Sequence, residues 1–276
     1  MIPDRSSAPS GRRRPEVPPG GSSSVPLELQ VLGAGPAYSN EPGSLGSAYL
    51  VRSPGHGLVL DLGQGAFPNL AASFDPVRLS AVLISHLHPD HFIDLIPLRH
   101  YLRRAELQPV ANVRVLAPLE LVDRLDGAYG EPGFAAAAFD VEQVRPGELL
   151  IGPFIVEAQS VIHSRESYAF RVSLAGHDSP GLVYSGDCAH VDDLRPLVRA
   201  GDTLLSEATF GPGPVPSGMP HLDGPTVGRF AEDTRAGQVV VTHLRMGCDP
   251  GATLSSVRDW YHGSVSLAQP GLRTSV

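Results

Sequence analysis

The segment Ser85–His91, with the sequence SHLHPDH, constrains this chain more than any other feature. It contains four potential metal ligands within six positions: His86, His88, Asp90 and His91. An apolar run, 81–85, precedes the histidines, and apolar residues at helical spacing follow from about Asp90 to Arg104. Imidazole nitrogens and carboxylate oxygens are good zinc ligands, so the segment predicts a strand that leads into a helix through a metal site. A solvated histidine-rich turn is the weaker alternative, because the segment is short and dense in ligands.

Further polar residues stand at the ends of predicted strands. Strands are predicted at 27–33, 47–53, 58–63, 81–86, 113–118, 154–161, 168–174, 181–187, 203–209 and 238–244. Helices are predicted near 90–104, 191–200, 222–235 and 253–262. Strands that come first in a group and later alternate with helices favour two sheets flanked by helices. Six polar residues fall at or just beyond strand ends, where they can converge on one edge of such a sandwich: Asp61, His86, His163, Asp187, Glu207 and His243.

These residues resemble the motifs of the metallo-β-lactamase superfamily in kind and order. The HxHxDH signature is intact at 86–91, and the later motifs match VLDLG, VIHS, YSGD and VTHL, from residue 27 to the C-terminus. The resemblance implies an α/β fold, an αββα sandwich of two mixed β-sheets flanked by helices. It also implies a metal-dependent hydrolase.

The resemblance further implies a ligand set for two Zn²⁺ ions, although Mn²⁺ or Fe²⁺ would suit the same donors. One ion would be bound by His86, His88 and His163. The other would be bound by Asp90, His91 and His243. Asp187 would bridge the two ions, and Asp61 would orient the ligands. Two such ions can share a hydroxide that acts as the nucleophile, so no serine or cysteine nucleophile is needed.

A second motif narrows the branch of the superfamily. Ser206-Glu207-Ala-Thr-Phe, followed by Pro220-His221-Leu-Asp-Gly, resembles the ribonuclease Z-like phosphodiesterases, although that branch usually has histidine where Ser206 stands. The resemblance implies that Glu207 orients His221 and that His221 protonates the leaving oxygen. Glu207 and His221 are therefore predicted to act in catalysis, together with Asp90 among the metal ligands. Structural roles at a strand end and a helix start are the alternative for Glu207 and His221.

With LQVLGAGPAY near the start and HSRESYAFRV from His163 onward, the layout resembles the bacterial cyclic-nucleotide phosphodiesterases of this superfamily. The resemblance implies a small phosphodiester substrate, most closely a cyclic nucleotide such as cAMP. Only 23 residues separate His163 from Asp187, where tRNA-maturing enzymes usually insert a long arm. The chain has no lysine, and its net charge of −8 disfavours a long nucleic acid. A ribonuclease Z-type tRNA 3′-end endonuclease is the main alternative. A lactone, thioester or sulfate-ester hydrolase and an inactive metal-bound binding module are also retained.

Composition predicts two regions. Residues 1–26, rich in Pro, Gly, Ser and Arg, are predicted to form a disordered tail, and 27–276 one metallo-β-lactamase-like hydrolase domain. The two cysteines indicate no disulfide framework, and no apolar run is long enough for a membrane span, so a cytoplasmic location is expected. A homodimer is left open. The Gly/Pro-rich loop 211–220 is predicted to be either a lid or a plain connector.

Overall fold

Fourteen strands and six α-helices form within residues 27–104 and 110–276, the part of the chain that the computed structural model describes. The first half contains β1 (Glu28–Gly33), β2 (Ala48–Ser53), β3 (His56–Leu62), α1 (Phe67–Ser73), β4 (Leu79–Leu83), α2 (Pro89–Phe92), α3 (Leu95–Leu102), β5 (Val113–Ala117), α4 (Leu121–Tyr129), β6 (Phe139–Gln143) and β7 (Gly147–Ile151). The second half contains β8 (Phe154–Ser160), β9 (Tyr168–Leu174), β10 (Leu182–Tyr184), β11 (Thr203–Glu207), α5 (Gly224–Thr234), β12 (Gln238–Thr242), α6 (Pro250–Arg258), β13 (Ser264–Leu267) and β14 (Arg273–Ser275). The predicted tail, 1–26, lies outside the described residues.

The strands form two seven-stranded sheets of mixed direction. The first sheet has the order β14-β1-β2-β3-β4-β5-β6, and the second has the order β13-β12-β11-β10-β9-β8-β7. In the first sheet β1, β2 and β3 are antiparallel, and β3 to β6 are parallel. In the second sheet β7 to β10 are antiparallel and β10 to β13 are parallel.

Three apolar layers hold the sheets and helices together. The middle layer lies between the sheets and joins residues such as Leu29 and Tyr49 of the first sheet to Phe170 and Val240 of the second. A second layer packs α1, α3 and α4 on the first sheet, and a third packs α5 and α6 on the second sheet. Burial of apolar surface on both faces of each sheet is the main driving force for this order of layers. The predicted αββα sandwich is confirmed.

Two predicted helices differ from the structure, and proline explains both differences. The predicted helix 90–104 is divided into α2 and α3, because Pro97 lacks an N–H and is tolerated only in the first turn of a helix. The predicted helix 191–200 is reduced to a short 3₁₀ turn, Val191–Leu194, ahead of Pro196. None of the helices in the described ranges is long and apolar enough to cross a membrane.

The parallel strands bring the polar residues together. β10, β11 and β12 are neighbours and run in the same direction, so the residues that follow them emerge at one edge of the second sheet. β3 and β4 do the same in the first sheet. Chain segments that leave the carboxyl ends of parallel strands commonly form binding sites, and here both edges contribute to one cluster.

Candidate metal centre

The segment after β4 turns sharply into α2. His88 has extended backbone and stands at the N-cap of α2, and Pro89 occupies the first helical position, where its missing N–H costs nothing. Asp90 and His91 therefore lie in the first turn of the helix, whereas His86 stays on the loop. His86, Asp90 and His91 are buried, but His88 is exposed, so the cluster opens to solvent on the His88 side.

Four of the predicted ligands lie close together at the open side. Nε2 of His86 is 3.0 Å from Nδ1 of His88, and Nε2 of His163 is 3.1 Å from the same Nδ1 atom. Asp187 completes the group, whose ligand atoms all lie within 4.8 Å of one another. These four residues could hold one metal ion.

A second group lies deeper in the molecule. Nε2 of His243 is 3.2 Å from Oδ2 of Asp90, and Nε2 of His91 is 3.5 Å from the same oxygen. All three residues are buried. They could hold a second metal ion, as the sequence predicted.

Asp187 lies between the two groups. Its Oδ2 atom is 3.8 Å from Nε2 of His86, 3.6 Å from that of His163, 3.5 Å from that of His91 and 3.6 Å from that of His243. One carboxylate oxygen thus faces two histidines of each group. This is the position that a bridging ligand requires, and the bridging role itself stays a prediction.

The hydrogen bonds of the histidine Nδ1 atoms decide which ring nitrogen faces the cluster. Nδ1 of His163 donates to the carbonyl oxygen of Pro220 at 2.9 Å, because a carbonyl only accepts. Nδ1 of His91 donates to the Asp61 carboxylate at 2.7 Å. In the neutral form of either ring the lone pair is therefore on Nε2, and Nε2 is the atom that faces the other ligands.

Two hydroxyl groups accept the Nδ1 proton of the remaining buried histidines and so leave their Nε2 atoms facing the cluster. The Ser85 hydroxyl donates to Asp61 at 2.6 Å, so its free lone pair accepts from Nδ1 of His86 at 3.1 Å. The Thr209 hydroxyl donates to Glu207 at 2.5 Å and accepts from Nδ1 of His243 at 3.1 Å. Ligand histidines in metalloproteins usually donate their outer N–H in this manner.

Unpartnered buried atoms show that the donor set fits metal ions. Within the described residues, Oδ1 of Asp90, Nε2 of His91 and Oδ1 of Asp187 are buried and have no hydrogen-bond partner. Leaving such atoms unpaired costs about 1–3 kcal/mol each, so a folded protein normally satisfies them. Divalent cations would satisfy these atoms, and nitrogen and carboxylate donors in this mixture suit zinc.

The charges in the cluster also favour a bound cation. Burial raises the pKa of Asp187, but His243 and His91 outweigh it and hold that pKa well below its usual range. Burial lowers the pKa of His91, yet the carboxylates of Asp187 and Asp61 raise it well above its usual range. The carboxylates therefore attract positive charge to the buried side of the site. Burial lowers the pKa of His86, which keeps that ring neutral and able to act as a ligand.

Asp61 lies on the buried side of the cluster and forms hydrogen bonds with residues around it. It lies near the end of the strand β3 with a left-handed backbone, φ 56°, and it is fully buried. Its carboxylate accepts four hydrogen bonds: from the backbone and the hydroxyl of Ser85, from His91 and from the hydroxyl of Tyr184. Asp61 thus lies next to the predicted ligands, and its role in orienting them stays a prediction.

Close backbone contacts hold Asp90 in place. A Cβ atom on Gly63 would lie 1.8 Å from the carbonyl oxygen of Asp90, so only glycine fits there. The same carbonyl accepts a hydrogen bond from the backbone of Ser47 at 2.9 Å. The loop after β3 and the loop before β2 therefore fix the start of α2.

Glu207 and His221 form a pair beside the two ligand groups. Nδ1 of His221 lies 3.0 Å from Oε1 of Glu207 and 4.0 Å from Oδ2 of Asp187. Glu207 is fully buried and also accepts from the backbones of Cys188, Thr209 and Leu222. Burial lowers the pKa of His221, but the hydrogen bond and charge of Glu207 outweigh it and raise that pKa. His221 also belongs to a third group that could hold a metal, with Asp187 and His243.

Several contributing groups were missed by the sequence reasoning: Ser85, Tyr184, Thr209 and the carbonyl of Pro220. Each supports a predicted residue from a distant part of the chain or from a neighbouring motif. All four lie inside motifs quoted above, SHLHPDH, YSGD, SEATF and PHLDG, so their closeness in sequence to predicted residues was the available signal. The loop 211–220 ends at Pro220, so it contributes to the site by binding His163.

Comparison with known proteins identifies the family. The family described as "Beta-lactamase superfamily domain" matches residues 58–244. An uncharacterized protein of Mycobacterium leprae, ML1173, is 31% identical over 253 residues, which are 90% of this chain and 88% of that protein. The probable metallo-hydrolase YhfI of Bacillus subtilis is 26% identical over 232 residues, 82% of this chain and 90% of that protein. The mitochondrial ribonuclease Z of Drosophila melanogaster is 27% identical over 203 residues, 65% of this chain but only 26% of that protein.

Solved structures show the same fold. The crystal structure of Bacillus subtilis YhfI has a TM-score of 0.79 at 23% identity, covering 90% of this chain and 99% of the other. Human tRNase Z, short form, has a TM-score of 0.68 at 20% identity, again covering 90% and 99%. The family match spans well over half of the chain and includes all seven predicted metal ligands. This chain therefore belongs to the beta-lactamase superfamily.

Proposed function

We propose that this protein is a metal-dependent hydrolase that cleaves the phosphodiester bond of a small cyclic nucleotide such as cAMP. Metal-dependent hydrolysis agrees with the family and with relatives named as a metallo-hydrolase and ribonuclease Z. The proposal of a phosphodiester substrate is supported above all by one observation, the Glu207–His221 pair beside the candidate ligands. Hydrolysis of a diester with a poor leaving group needs a proton donor at that place.

The residues of the two groups would hold a pair of divalent cations, Zn²⁺ in the first instance and Mn²⁺ or Fe²⁺ as alternatives. His86, His88 and His163 would bind one ion, Asp90, His91 and His243 the other, and Asp187 both. Such a pair supplies a water of lowered pKa and neutralises charge on phosphoryl oxygens. Asp61 and Thr209 would hold the imidazole rings in the tautomer that presents Nε2.

His221 would act on the leaving group. Glu207 accepts the Nδ1 proton of His221, so the Nε2 proton of the imidazolium is the one to give away. When water attacks phosphorus and the P–O bond breaks, Nε2 donates that proton to the departing ribose oxygen. The carboxylate of Glu207 then faces a neutral ring, which regains a proton from solvent because His221 is partly exposed.

The compact layout supports a small substrate. Between His163 and Asp187 the chain forms only the strands β9 and β10 with short connections. A long arm that could grasp tRNA would have to leave the fold in this interval. The net charge of −8 also gives no broad positive field for a polynucleotide.

A ribonuclease Z-type tRNA 3′-end endonuclease is the second candidate. It is favoured by the 27% identity with the mitochondrial ribonuclease Z of Drosophila melanogaster. The comparison that separates the candidates is kcat/KM of the metal-loaded protein on cAMP, cGMP, 2′,3′-cyclic nucleotides, precursor tRNA and a lactone. We expect the highest value for a cyclic nucleotide and none above background for Asp187→Ala prepared in parallel. Cleavage of precursor tRNA at its 3′ end with clearly higher efficiency would overturn the assignment.

The remaining predictions concern the whole chain. Residues 1–26 are predicted to be dispensable, so their removal should leave kcat/KM on a small diester unchanged. A cytoplasmic location and a homodimer stay predictions, which cell fractionation and sedimentation of the purified protein would test.

A further inference from the structure

A cavity of about 290 Å³ borders the candidate metal centre at His243. One side is the loop 34–45 between β1 and β2, and the other sides are the segments 244–250 and 267–270. The loop is fixed at both ends: Gly35 donates to the carbonyl of Leu45 at 2.7 Å, and the backbone of His243 donates to Ala34 at 3.1 Å. The cavity is therefore formed by backbone that is tied directly to a candidate ligand.

The walls combine flat apolar groups with hydrogen-bonding side chains. Pro36, Leu45 and Leu267 contribute apolar surface. Ser39, Glu41, Arg245 and Gln269 contribute hydroxyl, carboxylate, guanidinium and amide groups. Small-molecule sites in proteins typically have this composition and begin at about 300 Å³, a size suited to one nucleoside.

Arg245 stands at the edge of this cavity, two residues beyond His243. Its guanidinium lies 4.6 Å from the centre of the Phe210 ring, which in turn is 6.2 Å from the ring of His221. Stacking on an aromatic face holds a guanidinium in place while its N–H groups stay available. Within residues 27–104 and 110–276, no carboxylate forms an ion pair with Arg245. It is an available cation next to the proposed phosphate site.

A second cavity beside His88 is a weaker candidate. Its volume is about 160 Å³, too small for a nucleoside. Its arginines, Arg124 and Arg165, both form ion pairs with Glu120. Of these two cavities beside the candidate ligands, the one at His243 is therefore the one that combines sufficient volume with an available cation.

We propose that the cavity at 34–45, 244–250 and 267–270 binds the nucleoside part of the substrate, and that Arg245 contacts the phosphate. This assignment rests on the proposed function and adds the place where the nucleotide is recognised. The cavity would accommodate one nucleoside of the substrate. Arg245 acts here as a binding residue for the phosphate oxygens, not as an acid or base, since guanidinium stays charged at every accessible pH.

Inhibition of the metal-loaded protein by 5′-AMP and by inorganic phosphate tests this assignment. In the wild type, 5′-AMP should bind at least tenfold more tightly than phosphate, because only 5′-AMP fills the cavity. Ser39→Trp should place a ring in the cavity and weaken 5′-AMP at least tenfold while leaving phosphate unchanged. Arg245→Gln should weaken both inhibitors about tenfold, since it removes a charged hydrogen bond.

The smaller cavity provides matched controls. Arg124→Trp and Arg165→Gln place the same changes beside His88 and should alter both inhibition constants less than twofold. If Ser39→Trp leaves 5′-AMP unaffected, or if Arg124→Trp weakens it equally, the assignment of the cavity is wrong. Binding of 5′-AMP as expected by a protein that hydrolyses no phosphodiester would instead reject the proposed function and retain the nucleotide site. Binding to each variant can be measured by calorimetry, which needs no turnover.

Discussion

Oδ2 of Asp61 lies 2.7 Å from Nδ1 of His91, at the bottom of the candidate metal centre. The same oxygen accepts hydrogen bonds from Ser85 and Tyr184, both at 2.6 Å. Because a carboxylate can only accept, His91 must carry its proton on Nδ1 and present Nε2 to Asp90 and Asp187. Asp61, which contacts no substrate, thus determines the tautomer of the candidate ligand His91.

Asp61→Asn should weaken metal binding more than it weakens the fold. An amide has one acceptor oxygen in place of two, so it cannot accept from the Ser85 backbone on one side and from the Ser85 hydroxyl, His91 and Tyr184 on the other, and it also loses the negative charge beside His91. Loss of such a supporting carboxylate typically lowers metal affinity 10–100-fold. Competition with a chromogenic chelator measures this, with Asp192→Asn as an exposed control of the same chemistry. Equal affinity in both variants would remove Asp61 from the support of the ligands.

Removal of Asp187 should affect both metal sites at once. Its Oδ2 atom faces His86 and His163 on one side and His91 and His243 on the other. Elemental analysis should find about two transition-metal ions per wild-type chain and fewer in Asp187→Ala, whereas His190→Ala should keep them. Similar losses in both variants would reject the bridging role, and full activity after thorough chelation would reject the metal mechanism.

Thr209 should matter through its hydroxyl alone. That hydroxyl donates to Glu207 and accepts from His243, so it connects the carboxylate beside the proposed proton donor to a candidate metal ligand. Thr209→Val keeps the shape but leaves Nδ1 of His243 without an acceptor, and metal affinity should fall about tenfold or more. Thr209→Ser keeps the hydroxyl and should restore most of the affinity. Equal affinity in the Val and Ser variants would contradict this role.

The meeting of the predicted ligands could be expected because their placement depends on strand ends, although their role as ligands stays a prediction. Asp187 and His243 follow β10 and β12, whose parallel run brings such residues to one edge of the sheet. His163 follows β8, which runs in the same direction as β10 because both are antiparallel to β9. The contacts that fix the tautomers could not be predicted in this way. Tyr184 reaches Asp61 across 123 positions of sequence, and this pairing depends on how the two sheets pack face to face.

Short and exposed elements were missed for a different reason. β6, β7, β13 and β14 have few buried residues because they lie at the ends of the two sheets. Their hydrophobic patterns are correspondingly weak, and pairing with a neighbouring strand decides their conformation. The interruption between α2 and α3 was available in the sequence at Pro97, but the apolar spacing continues across it and favoured one helix.

A buried ion pair away from the site should contribute strongly to stability. Asp202 is fully buried and accepts from Nε and Nη2 of Arg171 at 2.7 and 2.9 Å. Asp202→Ala would leave the buried guanidinium with less compensation, and the free energy of unfolding should fall by about 3–5 kcal/mol. The exposed pair Arg114–Glu142 is the control, and Arg114→Ala should cost no more than about 1 kcal/mol. Denaturant unfolding of the two variants measures the difference, and equal losses would contradict it.

The most direct test of the chemistry is the response of His221→Ala to the leaving group. In the proposed mechanism His221 donates a proton to the leaving oxygen and binds no metal, so the variant should keep both ions. Its kcat should fall about 10²–10⁴-fold on a diester with a poor alkoxide leaving group. The loss should be much smaller for p-nitrophenolate, which departs without a proton.

Glu207→Gln provides the matched comparison, because it removes the charge next to His221 and keeps the size of the side chain. It should give a smaller defect with the same dependence on the leaving group. The double variant should lose less than the two single losses combined, since two residues that act as one unit are not additive. His221 also lies within reach of Asp187 and His243 as a candidate ligand, so metal analysis must accompany the kinetics. If His221→Ala loses metal, or slows both kinds of diester equally, His221 binds a metal or the phosphate and the proton donor must be another group.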